Sequence, residues 1–147
     1  MTAGSSGRPA PEAKQVLRPA AEERWADELA ALAAADTQRG AEIPRGWRLS
    51  PHSVRAFIVG DEDLGITRKF YGDDPLVDRA IVTLLGRQGL MLVGEPGTAK
   101  SMLSELLAAA VCGASTLTIQ GSAGTTEDHV RYSWNYALLI AEGPTRR

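Results

Sequence analysis

Gly94-Glu95-Pro96-Gly97-Thr98-Ala99-Lys100-Ser101 combines residue types and a spacing suited to holding a chain of phosphates. The run matches the phosphate-loop pattern at its first glycine, its lysine and its serine. Gly94 lets the chain turn sharply at the end of a strand. Gly97 permits a backbone conformation in which successive N–H groups point at phosphate oxygens. A helix opening near Ala99 adds unpaired N–H groups and the positive end of its dipole. Lys100 reaches the β- and γ-phosphates as a point charge, and the Ser101 hydroxyl supplies a ligand to the magnesium ion that bridges them. The expected nucleotide contacts therefore run from Gly94 through Glu95, Pro96, Gly97, Thr98, Ala99, Lys100 and Ser101 to Met102, with Lys100 as the catalytic group and Ser101 as the metal ligand. Ala99 departs from the pattern, since glycine usually precedes the lysine. At a helix start the residue is expected to take a negative φ, which alanine accepts.

The flanking elements give the loop its context. LMLVG at 90–94 is a short continuous apolar run, as in a strand covered on both faces of a parallel sheet. After the loop, Ala99, Met102, Leu103, Leu106, Leu107, Ala110 and Val111 follow helical spacing, and Gly113 closes the helix. TLTIQG at 116–121 alternates polar and apolar residues, as in a strand with one drier face. Strand, helix and strand in this order predict one right-handed crossover unit. Upstream, Asp74-Pro75 reads as a cap and first-turn proline, followed by an amphipathic helix through Leu76, Val77, Ala80, Ile81, Leu84 and Leu85. Ser50-Pro51 opens another helix, with Val54, Phe57 and Ile58 on one face and Gly60 as a left-handed stop. From Ala20 to Arg39, Trp25, Leu29 and Leu32 form a narrow stripe that must pack on something else, and Gly40 and Pro44 end that helix. Residues 1–19 are rich in glycine and proline and read as a disordered tail. Residues 122–147 are compatible with helix or strand.

Composition bounds the alternatives. The chain has 147 residues, is 44% hydrophobic and carries a net charge of −2 from 16 basic and 18 acidic side chains. That length fits one ordinary domain with a tail. The charge excludes a nucleic-acid partner attracted by bulk electrostatics. A single cysteine, Cys112, rules out an internal disulfide and reads as a small packing residue in a reducing compartment. The N-terminus has no apolar run of a secretory signal, and no stretch approaches the ~18 apolar residues of a membrane span. A cytoplasmic protein is expected.

GEPGTAKS, with alanine before the lysine, resembles the MoxR-type branch of the AAA+ ATPases, related to the dynein-like AAA domains. The longer run KFYGDDPLVDRAIVTLLGRQGLMLVGEPGTAKSMLSELL is similar to that family's entry of helix, buried strand and phosphate loop. The likeness extends over about residues 65–135. It implies an α/β fold, a P-loop NTPase αβα sandwich with a parallel sheet, incomplete in this chain and preceded by N-terminal helices. The expected division is a tail at 1–19, a helical segment at 20–62 and the front of the ATPase domain at 63–147. The resemblance implies ATP and Mg²⁺ as cofactors and Phe70, Tyr71 and Gly72 as base and ribose contacts, with plain packing against the next helix equally open for these three. It also implies a homo-oligomer, a hexameric ring in the complete protein, that hydrolyses ATP to remodel a client protein.

Hydrolysis in that family needs a second acidic motif, an apolar strand ending in Asp-Glu. FIVGDED at 57–63 lies upstream of the loop and reads as a helix end followed by a solvated turn. LLIAE at 138–142 lies downstream but offers only Glu142. The 46 residues after Ser101 are too few for the remaining strands, sensors and lid, so the chain is expected to bind nucleotide with little hydrolysis. Two further functions compete, a small-molecule kinase and a non-catalytic nucleotide-binding module. His52 and His129 lack partners at metal-ligand spacing, and the polar-aromatic cluster of Trp134, Asn135 and Tyr136 reads as core or as a partner contact.

Overall fold

A computed structural model describes residues 18–119, 121 and 123. The chain divides into two units, Met1–Ser115 and Thr116–Arg147. In the second, the described residues form no helix or strand, and Thr118 N–H donates to the Thr116 carbonyl at 2.8 Å.

The first unit holds α1 (Ala21–Arg24), α2 (Ala26–Arg39), α3 (Pro51–Val59), α4 (Asp74–Leu85) and α5 (Lys100–Val111). The single helix expected over Ala20–Arg39 is interrupted at Trp25, whose φ of −122° and ψ of 35° break the α1 ladder before α2 starts. The break lets the Trp25 ring meet Phe57 edge-on, with centroids 6.0 Å apart and an interplanar angle of 82°. Gly40 ends α2 in the left-handed region, as its position predicts. Ser50 caps α3 by accepting the Ser53 N–H at 3.2 Å, and Gly60, at φ 96°, ends it. The cap of α4 is one residue earlier than expected. Asp73 is the N-cap and Asp74 the first helical residue, its carboxylate engaged by Arg68 instead of by the helix.

α3 is central. It packs against α2, α4 and α5, while α1 packs against both α2 and α5. Many of the side chains the periodicities mark are buried: Leu29 and Leu32 of α2; Val54, Phe57 and Ile58 of α3; Val77, Ala80 and Ile81 of α4; Leu103, Leu106, Leu107 and Ala110 of α5. Leu76, Leu84, Met102 and Val111 are partly buried, and Leu85, expected on the α4 face, is exposed. The N-terminal helices and the helix after the phosphate loop thus share one core.

The expected parallel sheet is not formed among the described residues. Residues 90–94 run without ladder hydrogen bonds, and Met91 and Val93 are each 83% exposed. Residues 116–119 likewise form no strand, with Leu117 and Ile119 exposed. A strand is defined by hydrogen bonds to a neighbour, and neither segment makes a ladder among the described residues. The one β pairing among the described residues is the isolated antiparallel bridge between Asp61 and Ile66. It closes the turn after α3, where Asp61 Oδ1 also accepts the Leu64 N–H at 3.2 Å, while Glu62 and Asp63 lie exposed. The segment 57–63 is therefore the end of α3 followed by an acidic turn at 61–63, with Glu62 and Asp63 exposed. No helix among the described residues is long and apolar enough to cross a membrane.

Candidate functional site

The loop between residue 90 and α5 turns at two positive-φ residues, Gly97 at 85° and Ala99 at 57°. Gly97 behaves as its type predicts. Ala99 does not, because the expected negative φ is replaced by a left-handed conformation (φ 57°, ψ 21°) at the N-cap of α5. In an L-residue that geometry costs about 1–2 kcal/mol, which is why glycine is the usual occupant.

α5 begins with Lys100, and its first ladder bond runs from the Leu103 N–H to the Ala99 carbonyl at 2.9 Å. Among the described residues, the N–H groups of Glu95, Gly97, Thr98, Ala99, Lys100, Ser101 and Met102 have no protein acceptor. Orphan donors at a helix N-terminus are satisfied by water or by an anion. The Lys100 ammonium folds back over the loop, donating to the Glu95 carbonyl and to Thr98 Oγ1 at 2.9 Å. Thr98 Oγ1 in turn donates to the Glu95 carbonyl at 2.9 Å. A Cβ built on Gly94 would stand 3.4 Å from Thr98 Oγ1 and 3.7 Å from Lys100 Nζ, so Gly94 forms the floor beneath this pair. Ser101 is exposed in the first turn, where its hydroxyl is accessible to a ligand. Free donors, a cation held above them and an exposed hydroxyl are a donor set that fits a polyphosphate and a hard cation.

Beside the loop opens a cleft of about 470 Å³, lined by Phe70, Leu76, Leu92, Gly94, Thr98 and Lys100 among others. Its lining joins apolar side chains to Gly94, Thr98 and Lys100 of the loop, whereas Ser101 lines a separate cleft with Leu84, Leu107 and Val111. Of the three expected base contacts, Phe70 faces this cleft while also belonging to the core. Tyr71 is 84% exposed and does not line the cleft. The Arg68 guanidinium lies 5.8 Å from its ring centroid. Gly72 packs against the Phe70 ring so closely that a Cβ there would lie 2.3 Å from Cε1.

Residues 89–147 match the AAA domain of the dynein-related subfamily. The match includes Gly94 to Ser101 and implies a P-loop NTPase fold for that stretch. It supports, in general terms, a nucleotide-binding AAA+ ATPase. Over 135 residues, 92% of this chain, the sequence is 54% identical to the uncharacterized protein YehL of Escherichia coli (strain K12). The chain spans 36% of that protein's length. No solved structure matches.

Arg68, Lys69 and Glu28 carry weight around the site that sequence reasoning does not assign to them. Arg68 donates to the Phe70 carbonyl at 2.9 Å and pairs with Asp74, bracing the turn into α4. Lys69 is buried, and its pKa is pushed down by desolvation against the opposing pull of Glu28. Glu28 was detectable. Trp25, Glu28, Leu29 and Leu32 share one helical face, and a carboxylate on an apolar face requires a partner. Cys112 is exposed at the end of α5 instead of packed, and His52 lies at the surface 3.5 Å from Arg39. Glu142, His129 and the Trp134–Tyr136 cluster lie outside the described residues. Among those described, no group of three His, Cys, Asp or Glu side chains is placed to hold a metal.

Proposed function

We propose that this chain is the nucleotide-binding front of a MoxR-like AAA+ ATPase, taking ATP with magnesium, and that the longer protein hydrolyses it to remodel a partner protein. The observation that carries the reading is the run of unpartnered N–H groups from Glu95 to Met102 with the Lys100 ammonium folded over the same loop, beside a cleft that Gly94, Thr98 and Lys100 line together with apolar side chains. In this reading the N–H groups and Lys100 hold the β- and γ-phosphates, and Ser101 ligates magnesium. Phe70 walls the base side, Gly72 backs the Phe70 ring, and Tyr71, outside the cleft, would meet the nucleotide only by turning inward. The bound ion would neutralise charge on the phosphates. In the same reading the ATPase front is residues 63–147 and the helical segment residues 20–62, in a cytoplasmic protein that assembles as a ring. The AAA match over residues 89–147 supports this reading.

Titration calorimetry with Mg-ATP tests it. Lys100→Ala removes a charge-assisted contact worth about 1.5–3 kcal/mol, so affinity is expected to fall roughly 10- to 150-fold. Unchanged affinity in that variant, with the fold intact, would sink the reading.

A further inference from the structure

Lys69 is the most deeply buried cation among the described residues, only 6% exposed. An ammonium carries three donors, and desolvating it is costly unless all are used. Here all are: Nζ donates to the Glu28 carboxylate, to the Phe57 carbonyl at 3.1 Å and to the Thr67 carbonyl at 2.9 Å. It also lies 4.4 Å from the Phe57 ring centroid and 5.6 Å from that of Trp25. One side chain therefore ties together α2, the end of α3 and the segment leading to Phe70.

That segment has little freedom. The N–H groups of Lys69 and Phe70 both donate to the Ile58 carbonyl at 3.1 Å, and Arg68 holds the Phe70 carbonyl. Phe70 forms a wall of the cleft that also contains Gly94, Thr98 and Lys100, whereas Lys69 and Glu28 do not line it. Moving α2 away would strand a buried ammonium, so the placement of α2 and of Phe70 are energetically linked. Well-packed apolar residues replace such a pair with little loss of stability in many proteins, so stability alone is a weak reason for it.

We propose that the Glu28–Lys69 pair is the positioning device for the base side of the nucleotide cleft, transmitting the placement of α2 to Phe70. This rests on the nucleotide reading above and adds to it a route by which a partner acting on the N-terminal helices alters base recognition. The coupling is reciprocal: nucleotide binding must then stabilise α2.

The test compares Mg-ATP with inorganic tripolyphosphate, which has phosphates but no base, on the full chain carrying Lys69→Met or Glu28→Gln. Both variants are expected to keep tripolyphosphate affinity within about twofold and to lose ATP affinity roughly 3- to 30-fold. In the unsubstituted protein, ATP slows amide exchange in residues 26–39 and tripolyphosphate does not; in the variants neither does. Equal loss for both ligands, or loss tracking only the unfolded fraction, would assign the pair a purely structural role and overturn the proposal. Unchanged ATP affinity would overturn it as well. If either single variant does not fold, the double variant Glu28→Gln/Lys69→Met, which strands no buried charge, decides by the same comparison of ATP with tripolyphosphate. Unsubstituted protein that binds neither ligand would refute the phosphate-loop reading itself, a result distinct from either variant outcome.

Discussion

Asp36 and Ser50 join the end of α2 to the start of α3 through two hydrogen bonds of 2.7 Å, one from the Ser50 backbone N–H and one from its hydroxyl. Ser53 Oγ adds a third at 2.6 Å, and the Arg39 guanidinium a fourth contact at 3.3 Å. The carboxylate is buried, and burial alone would raise its pKa. The hydrogen bonds from Ser53 and Ser50 and the charge of Arg39 outweigh that and hold it below the usual 3.8.

The sign of the resulting pH dependence follows. A carboxylate with a depressed native pKa stabilises the fold above its unfolded pKa, and the contribution disappears as pH falls through the native value. Asp36→Asn is expected to lose about 1–3 kcal/mol at pH 7, because donors from Ser50 and Ser53 then face an amide. The difference between the two proteins, measured by urea denaturation at a series of pH values, should shrink as pH drops below about 4. A gap that stays constant to pH 2 would refute this account.

Ala99→Gly should stabilise the protein. Relief of left-handed strain is worth about 1–2 kcal/mol and the added unfolded-state entropy offsets about 0.5–1, leaving a net gain of about 0.5–1 kcal/mol. A higher denaturation midpoint at unchanged m-value is the expected signature. A lower midpoint would show that the methyl group is packed in a way its φ does not reveal.

Gly72→Ala should displace Phe70. The new methyl would meet the ring at 2.3–2.4 Å, and the ring is too buried to swing aside freely. Overpacking of this kind costs about 1–3 kcal/mol. Thermal denaturation measures that cost, and Mg-ATP titration should show weakened binding because Phe70 walls the cleft.

Ser101→Ala separates phosphate from metal. The side chain is exposed and makes no hydrogen bond within the described protein, so stability should change by less than about 0.5 kcal/mol. ATP binding in excess EDTA should persist, while the gain on adding magnesium should fall. An equal magnesium gain in both proteins would remove Ser101 from the metal site.

The helices were legible because each carries its own signals. Pro51 after Ser50, Gly40 after Arg39 and the spacing of Val54, Phe57 and Ile58 are local, and all appear in the structure. The positive φ of Gly97 was legible for the same reason. Positions fixed by distant partners were not. Asp74 reads locally as a cap, but Arg68 claims its carboxylate, and the cap passes to Asp73. Ala99 takes a left-handed φ against its own preference. Residues 90–94 read as a strand because their composition suits one, yet pairing is a property of two segments. Asp36 was misleadingly ordinary in sequence, although it continues the stripe of Trp25, Leu29 and Leu32 and so had to be buried.

The Lys100 ammonium already commits two of its three donors, to the Glu95 carbonyl and Thr98 Oγ1. An arriving phosphate therefore exchanges one set of partners for another, and the heat released reports only the difference between them. Calorimetric enthalpy should consequently understate the contact, with much of the favourable signal arising from water and counterions set free. The same inward fold already restricts the half-buried side chain, so part of its ordering is complete before any ligand arrives.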